Sequence, residues 1–479
     1  MPTRQQFAWF LLLLSVSSRI HTLSAAEANA PSFQVPPPFV VHEWGTFTVL
    51  QDDNGKELPG INIDDEPVPP FVHNLAPYLL NNSVLSNEHW IYRQKGAPRR
   101  HLRVTMRLET PVLYFYPSST GKLPPSIDVD VRFRGGWLTE FYPWARAEMS
   151  GMREGSFDFG PLTPDTVGRL TWLDVKLDTH TDGPITNAPV WLAPRQVASV
   201  DVTVQNPKAK EGHHAESERY LFYRGVANQR APLRVATNRD QQALTIRSNF
   251  DAVPGTGKWI IGSAWLVDIR GTGQTAFRTL APMTVTADSQ PLVARVSTAF
   301  GEADYASDKM DELRRMMHKA LVADGLFDDE ATAMLATWQR AYFQTAGLRL
   351  FFLVPRPWTD HYLPIEISST PRLKRVMMGR IELITEAQRE RLAKIARGPI
   401  SDGHWINKIP EGKPKDQFLA GRSDFGDLGV KIPVDYQAYL NLGRFRNALV
   451  VAEERRNSSP ALSKFIQAYG LQPYRWSDE

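Results

Sequence analysis

Between Phe39 and Phe300, apolar and polar residues alternate with a period of two in short runs. Examples are LRVTMRL, SIDVDVRF, RLTWLDVKL, ASVDVTVQ, ERYLFYRG, LRVAT, ALTIRS and KWIIGSAWLVDI. Gly, Pro, Asn and Asp separate the runs, and β-branched and aromatic residues fill them, so the pattern predicts strands. Many short strands without intervening helices predict an antiparallel, β-sandwich-like region. After Glu302 the period lengthens to that of a helix. Met310, Leu313, Met316, Met317, Ala320 and Leu321 share one face, and Gly325 stands where a left-handed helix end favours glycine. Asp328 is placed to cap a second helix striped by Met334, Leu335, Trp338, Ala341 and Tyr342. LRLFFLV and RVMMGRIELI read as buried strands, and TEAQRERLAKIARG as a helix between Thr385 and Gly398. Further helices are expected near 434–455 and 459–469. The chain thus reads as an α+β multidomain protein: a β-rich, sandwich-like domain over 39–302, then a helix-rich α/β domain over 303–479.

The N-terminus changes the picture of compartment. Arg4 precedes an apolar core from Phe7 to Val16. At about ten residues it suits a signal peptide and is short of the roughly 20 needed to span a bilayer. Ser24-Ala25-Ala26 offers small residues to a signal peptidase, which sets the expected signal peptide at 1–26. Ala28-Asn29-Ala30 also fits, but Pro31 follows it. Residues 27–38, with PSFQVPPP, read as a linker. No later stretch is long and apolar enough to cross a membrane, so the mature chain is not expected to be an integral membrane protein. Cysteine is absent from the 479 residues, which removes disulfides, thiolate nucleophiles and cysteine-ligated zinc. The expected location is periplasmic or secreted. The net charge of +3 is small for this length and no block of like charge stands out, which excludes nucleic acid as a partner.

The candidate chemistry begins at VVHEWGTFTVL. As a strand, this stretch puts Glu43 on one face and His42 on the other. It is not the helical zinc-protease motif, because Thr46 stands where that motif needs its second histidine. Asp53-Asn54-Gly55-Lys56 signals a two-residue hairpin turn. Pairing Asp53 with Lys56 puts Asp64 opposite Gly45 and Glu66 opposite Glu43, and a one-residue slip puts Asp65 opposite Glu43 instead. Carboxylates gathered this way repel unless a cation, an arginine or a raised pKa relieves them. Glu43 and Glu66 are therefore the candidate catalytic acids, and His42, Asp64, Asp65 and His73 the candidate metal ligands. Carboxylates with imidazole suit a divalent cation: calcium, magnesium or zinc.

Other constellations are weaker. WLTEFYPWA gathers Trp137, Phe141, Tyr142 and Trp144, which could stack on a glycan or pack in a core. Trp358-Thr359-Asp360-His361 reads as a proline-kinked loop. There is no G-x-S-x-G, and PGTGKW lacks the hydroxyl residue of a phosphate loop.

VHEWGTFT, INIDDEPVPPFVHNL, RYLFYRGV, FFLVPRPWTDHYLPIEI and VMMGRIELIT resemble stretches of uncharacterised exported bacterial proteins. The resemblance covers most of the mature chain. It implies export and a bacterial source, and brings no activity, cofactor or catalytic residue. The functional expectation is an exported, envelope-associated protein acting as a metal-assisted hydrolase of an extracytoplasmic polymer. The alternatives are a non-catalytic binder of glycan or protein and a structural envelope protein with at most a calcium site.

Overall fold

The computed structural model describes residues 39–472, apart from 64, 76–92, 119–122, 152–160, 180–181, 210–213, 250–251, 254, 256, 288–291, 420 and 423–424. The expected signal peptide and linker, and Asp64 among the candidate ligands, lie outside the described residues.

The fold is α+β, built on a large mixed sheet of 15 strands. Its central strands are β1 (Phe39–Gln51), β2 (Met106–Pro117), β3 (Gly136–Tyr142), β4 (Leu221–Ala227), β5 (Ala264–Ile269), β6 (Gly347–Leu353) and β7 (Arg372–Leu383). They lie in the order β3-β4-β2-β1-β7-β6-β5. β1 runs antiparallel to β2 and parallel to β7 along nearly its whole length. Such a strand is closed on both edges and covered on both faces, which is why all but Val40 of its residues are buried, the polar His42, Glu43, Thr46 and Thr48 included. Val41, Phe47 and Val49 pack with Leu108 and Phe352 on one face. Trp44 packs with Val112, Tyr114, Trp338 and Met378 on the other.

β1 and β2 shift register between Trp44 and Thr46. There Thr110 adopts φ 40°, and Pro111 crosses so close to Gly45 that a Cβ would sit 3.0 Å from it. Glycine is needed for that approach, and the Thr110 hydroxyl is turned to accept from Trp338 Nε1 at 2.7 Å.

The helices follow the predicted stripes. α1 (Lys309–Ala323) and α2 (Asp328–Thr337) cover the Trp44 face through Leu313, Met317 and Met334. Asp328 opens α2 as a helical residue, and Phe327 is the N-cap. The second predicted helix ends differently: a π-helical turn, Gln339–Gln344, buries Tyr342 and Phe343. α3 (Arg356–Tyr362) occupies the stretch expected to be a kinked loop; Pro357 stands in its first turn, where a missing N–H costs nothing. α4 (Glu386–Arg397) is capped by Thr385, which accepts from Gln388 N at 3.2 Å. α5 (Val434–Leu440), α6 (Arg446–Arg456) and α7 (Pro460–Ala468) complete the chain.

The boundary expected near residue 302 does not separate two bodies. The described residues form one compact unit. β1 pairs with β7, and β5 with β6, across that boundary. Periodicity reports which element forms locally; it carries no information on which distant strand will close its edge. Among the described residues no helix is long and apolar enough to cross a membrane.

Candidate functional site

β1 places the first candidates on opposite faces, as alternation requires. His42 Nδ1 lies 2.8 Å from Glu330 Oε2. Its ring packs against Tyr116 and Phe327 with centroids 5.3 and 4.6 Å apart. Glu330 also accepts from the Tyr116 hydroxyl at 2.9 Å and from Phe327 N at 2.7 Å. His42 is thus a buried core histidine tied to the start of α2. Glu43 is 1% exposed. It accepts from Arg375 Nε at 2.5 Å and from the Tyr223 hydroxyl. Arg375 in turn reaches Asp360 Oδ1 at 2.9 Å.

The Asn54–Gly55 turn forms, with Gly55 at φ 72°. Pairing continues only through a Gln51–Glu57 bridge and a bond from Leu58 N to Leu50 O. That is the slipped register, and it ends because β2 and β7 already hold both edges of β1. Glu43 therefore neighbours Leu113 and Arg375, not Asp65 or Glu66. His73 sits apart again, with Nε2 2.8 Å from Glu216 Oε2 and its ring stacked on Tyr142. Among the described residues no three His, Asp or Glu side chains are placed to share a metal ion. The metal set His42, Asp65 and His73 and the catalytic pair Glu43 and Glu66 are not assembled.

What relieves the acids is arginine. Two strands flanking β1 each carry an Arg-x-Glu pair, Arg107-Leu108-Glu109 on β2 and Arg380-Ile381-Glu382 on β7, with Thr46 and Thr48 of β1 between them. The register aligns Arg107, Thr48 and Arg380 in one row and puts Glu109 beside Thr46. This row lies on the Trp44 face, opposite Glu43. Asp65 caps it: Oδ1 accepts from Arg107 Nη2 at 2.6 Å and Oδ2 from Arg444 Nε. Arg444 Nη2 also reaches Glu109 Oε1 at 3.2 Å, and Lys95 Nζ reaches Glu109 Oε2 at 3.0 Å. Arg380 contacts Glu382, which Arg349 Nε approaches at 3.5 Å. The Arg380 guanidinium also lies over the Tyr342 ring of the π-helical turn, 4.5 Å from its centroid. Glu66 Oε1 accepts from Ala341 N at 3.2 Å, and its carbonyl from Arg224 Nη1 at 3.0 Å.

The electrostatics of this network follow from burial. Burial raises the Asp65 carboxyl, but Arg107 and then Arg444 hold it well below the usual carboxylate range. Burial raises Glu66, and the charges of Asp65 and Glu109 add to that. Burial, then Arg107 and Arg224, pushes the Lys95 ammonium down to about 8. Among the described residues the network sets five cations, Lys95, Arg107, Arg349, Arg380 and Arg444, against four carboxylates, Asp65, Glu66, Glu109 and Glu382. Seven of its guanidinium nitrogens are buried without a well-aligned hydrogen bond, and three of these, Arg107 Nε, Arg349 Nε and Arg380 Nη2, still make ion-pair contacts with Glu109 or Glu382. Each buried unmet donor costs about 1–3 kcal/mol.

An accessible cavity lies beside the network, joined to it by α6. Arg444 and Phe445 enter the network; the helix that follows walls a cleft of about 490 Å³. The other walls are residues flanking the Asn54–Gly55 turn (Asp52, Asp53 and 56–60), the segment 100–105, Asn228, and the start of α4. Leu58, Leu102, Ile384, Leu392, Leu449 and Val451 make an apolar floor. Among the described residues Lys56, Arg103 and Arg455 stand on the rim, exposed and without an ion-pair partner. Of the other lining charges, Asp53 pairs with Arg239 and Arg389 and Arg456 with Glu453 at 2.8 Å, while the Asp52 carboxylate accepts from Asn54 N and Lys56 N. Glu57 is buried at one end, where it accepts from Gln51 Nε2 at 3.0 Å; burial raises its carboxyl.

The sequence did not point to this cleft, because its walls come from five separated stretches of the chain. Its signal for the network was present but weak: an Arg-x-Glu step in an otherwise apolar strand puts two charges on one face. The aromatic stretch considered for glycan binding is core. Trp137, Phe141 and Tyr142 are 1%, 0% and 4% exposed, which leaves only Trp144 partly open.

No family model and no curated protein matches the chain. Among solved structures, the Fcho1 Mu homology domain from Danio rerio with bound Eps15 peptide is 10% identical. The likeness covers 73% of this chain and 96% of that chain, at a TM-score of 0.22. A likeness at that level carries no argument about fold or function.

Proposed function

We propose that this chain is an exported, extracytoplasmic binding protein whose cleft takes a small amphiphile with an apolar body and an anionic end. The observation that carries this reading is the pairing of an apolar floor with three unpaired cations, Lys56, Arg103 and Arg455, on one rim. The volume falls within the range of small-molecule sites, roughly 300–1,000 Å³. The floor supplies burial and the cations fix the orientation of the charged end. Export is supported by the N-terminal pattern of Arg4, the apolar run Phe7 to Val16 and the small residues at Ser24–Ala26. Metal-assisted hydrolysis by Glu43 and Glu66 finds no common centre here, since the two acids lie on opposite faces of the sheet. Glycan stacking on Trp137, Phe141 and Tyr142 finds those rings buried.

The test is equilibrium binding of alkyl chains of one length with different ends. Dodecanoate should bind the mature chain saturably at one site. Dodecyltrimethylammonium should bind at least tenfold more weakly. The double variant Arg103→Glu, Arg455→Glu should weaken dodecanoate by at least tenfold, about 1.4 kcal/mol. Equal affinity for both ends, or no saturable binding, would remove the reading.

A further inference from the structure

The turn that follows the strand Ser126–Arg134 is clamped from two sides. Gly135 N donates to Thr166 O at 2.6 Å, and Gly135 O accepts from Asn228 N at 2.8 Å. Gln229 Nε2 donates to Arg134 O at 3.1 Å. Gly135 holds φ 77°, where glycine is favoured. The same strand pairs with Ile365–Ile367, and Arg132 N donates to Pro364 O at 3.0 Å. That docking brings the end of α3, with His361, to the turn. Between these segments lies a cavity of about 760 Å³, the size of a small-molecule site.

Its charge is one-sided. Arg132, Arg134 and Arg230 line it against a single carboxylate, Asp165. Arg132 is held by Asp130 and Glu366, at 2.9 and 3.0 Å, which stand outside the lining. Arg134 and Asp165 are exposed, and among the described residues neither has an ion-pair partner, not even the other. His361 is half-buried with its ring edge-on to Tyr362, centroids 4.8 Å apart. Among the described residues neither of its ring nitrogens is hydrogen-bonded. Burial, then the Arg134 charge, holds the His361 imidazole below its ordinary value, so at pH 7 the ring is neutral and offers one N–H.

We infer that this cavity is a binding site for a small sugar phosphate, a phosphomonoester on a hydroxylated body. Walls with excess positive charge select an anion. A carboxylate has two oxygens, which one arginine fork uses up. A phosphomonoester has three terminal oxygens, enough for the Arg134 fork and the His361 N–H together. The body is hydroxylated because the remaining walls accept hydrogen bonds. Asp165 is unspent, and the amides of Asn228 and Gln229 use their nitrogens on Leu162 O and Arg134 O, which leaves their oxygens for hydroxyls. Asn228 borders both this cavity and the amphiphile cleft, but no cation lines both, so the two proposals stand separately.

The experiment is isothermal titration calorimetry of glucose 6-phosphate into the full mature chain at fixed ionic strength, with glucose and inorganic phosphate as comparators. The expected result is one saturable site for glucose 6-phosphate, binding of inorganic phosphate weaker by roughly tenfold or more, and no saturable binding of glucose. Arg134→Glu should weaken glucose 6-phosphate by roughly tenfold or more. Arg315→Glu makes the same charge change at an exposed position of α1 and should leave the affinity unchanged. The His361 ring-proton signal in NMR, assigned by its absence in His361→Gln, should move as glucose 6-phosphate is added. That signal decides the matter if Arg134→Glu does not fold. No saturable glucose 6-phosphate in the wild-type chain would overturn the inference. So would inorganic phosphate or glucose binding as tightly, an unchanged affinity in folded Arg134→Glu, equal weakening by Arg315→Glu, or a His361 signal that stays in place.

Discussion

Arg444 stands 379 residues after Asp65, yet its guanidinium pairs with that carboxylate, and its second arm reaches Glu109 at 3.2 Å. Asp65 lies in the early loop, Glu109 on β2, and Arg444 at the entrance of α6. One side chain therefore ties the C-terminal helices to the sheet. Arg444→Met leaves two buried carboxylates short of a partner. The expected loss in urea denaturation is about 3–5 kcal/mol. Replacing Asp65 and Arg444 together should cost less than the two single losses added, because neither charge is then stranded.

Lys95 gives the network a readable pH dependence. Burial, with Arg107 and Arg224, lowers its ammonium to about 8 in the folded chain, against about 10.4 unfolded. Between those values the unfolded chain binds more protons, so this group's contribution to stability rises with pH across the window. Lys95→Met removes the titration. Stability measured from pH 8 to about 10.4 should rise in the wild type relative to the variant, by a few kcal/mol at most. A flat difference would show that Lys95 is not buried as described.

Glu43 separates a structural acid from a catalytic one. Its carboxylate is held by Arg375 and Tyr223, 1% exposed. Glu43→Gln weakens a buried ion pair and should cost about 3 kcal/mol or more in denaturation. Metal content by elemental analysis should be the same in both proteins. Loss of a stoichiometric metal with the substitution would contradict this placement.

Much of the fold was legible in the sequence because it rests on local pattern. The period-two runs became strands, the stripes from Met310 to Leu321 became α1, and Thr385 caps α4 as its position implied. Alternation alone placed His42 and Glu43 on opposite faces. What the pattern could not reveal was pairing between distant segments. β1 reads like one arm of a hairpin, but β7, more than 300 residues on, takes its other edge. That capture ends the hairpin pairing and dissolves the expected acidic cluster. Trp137 and Phe141 show the same limit, since an aromatic run reads alike in a core and on a surface. The Arg-x-Glu steps were legible only as isolated charges until β1 brought them side by side.

The claim that the cleft beside α6 is the binding site is tested most directly by photolabelling. A dodecanoate analogue carrying a diazirine on its chain would be bound to the mature protein, irradiated and mapped by peptide mass spectrometry. Labels confined to 100–105, the start of α4 and 446–456, and lost in the presence of excess dodecanoate, are the predicted result. Labels on other surfaces, or labels that excess dodecanoate does not compete away, would contradict it.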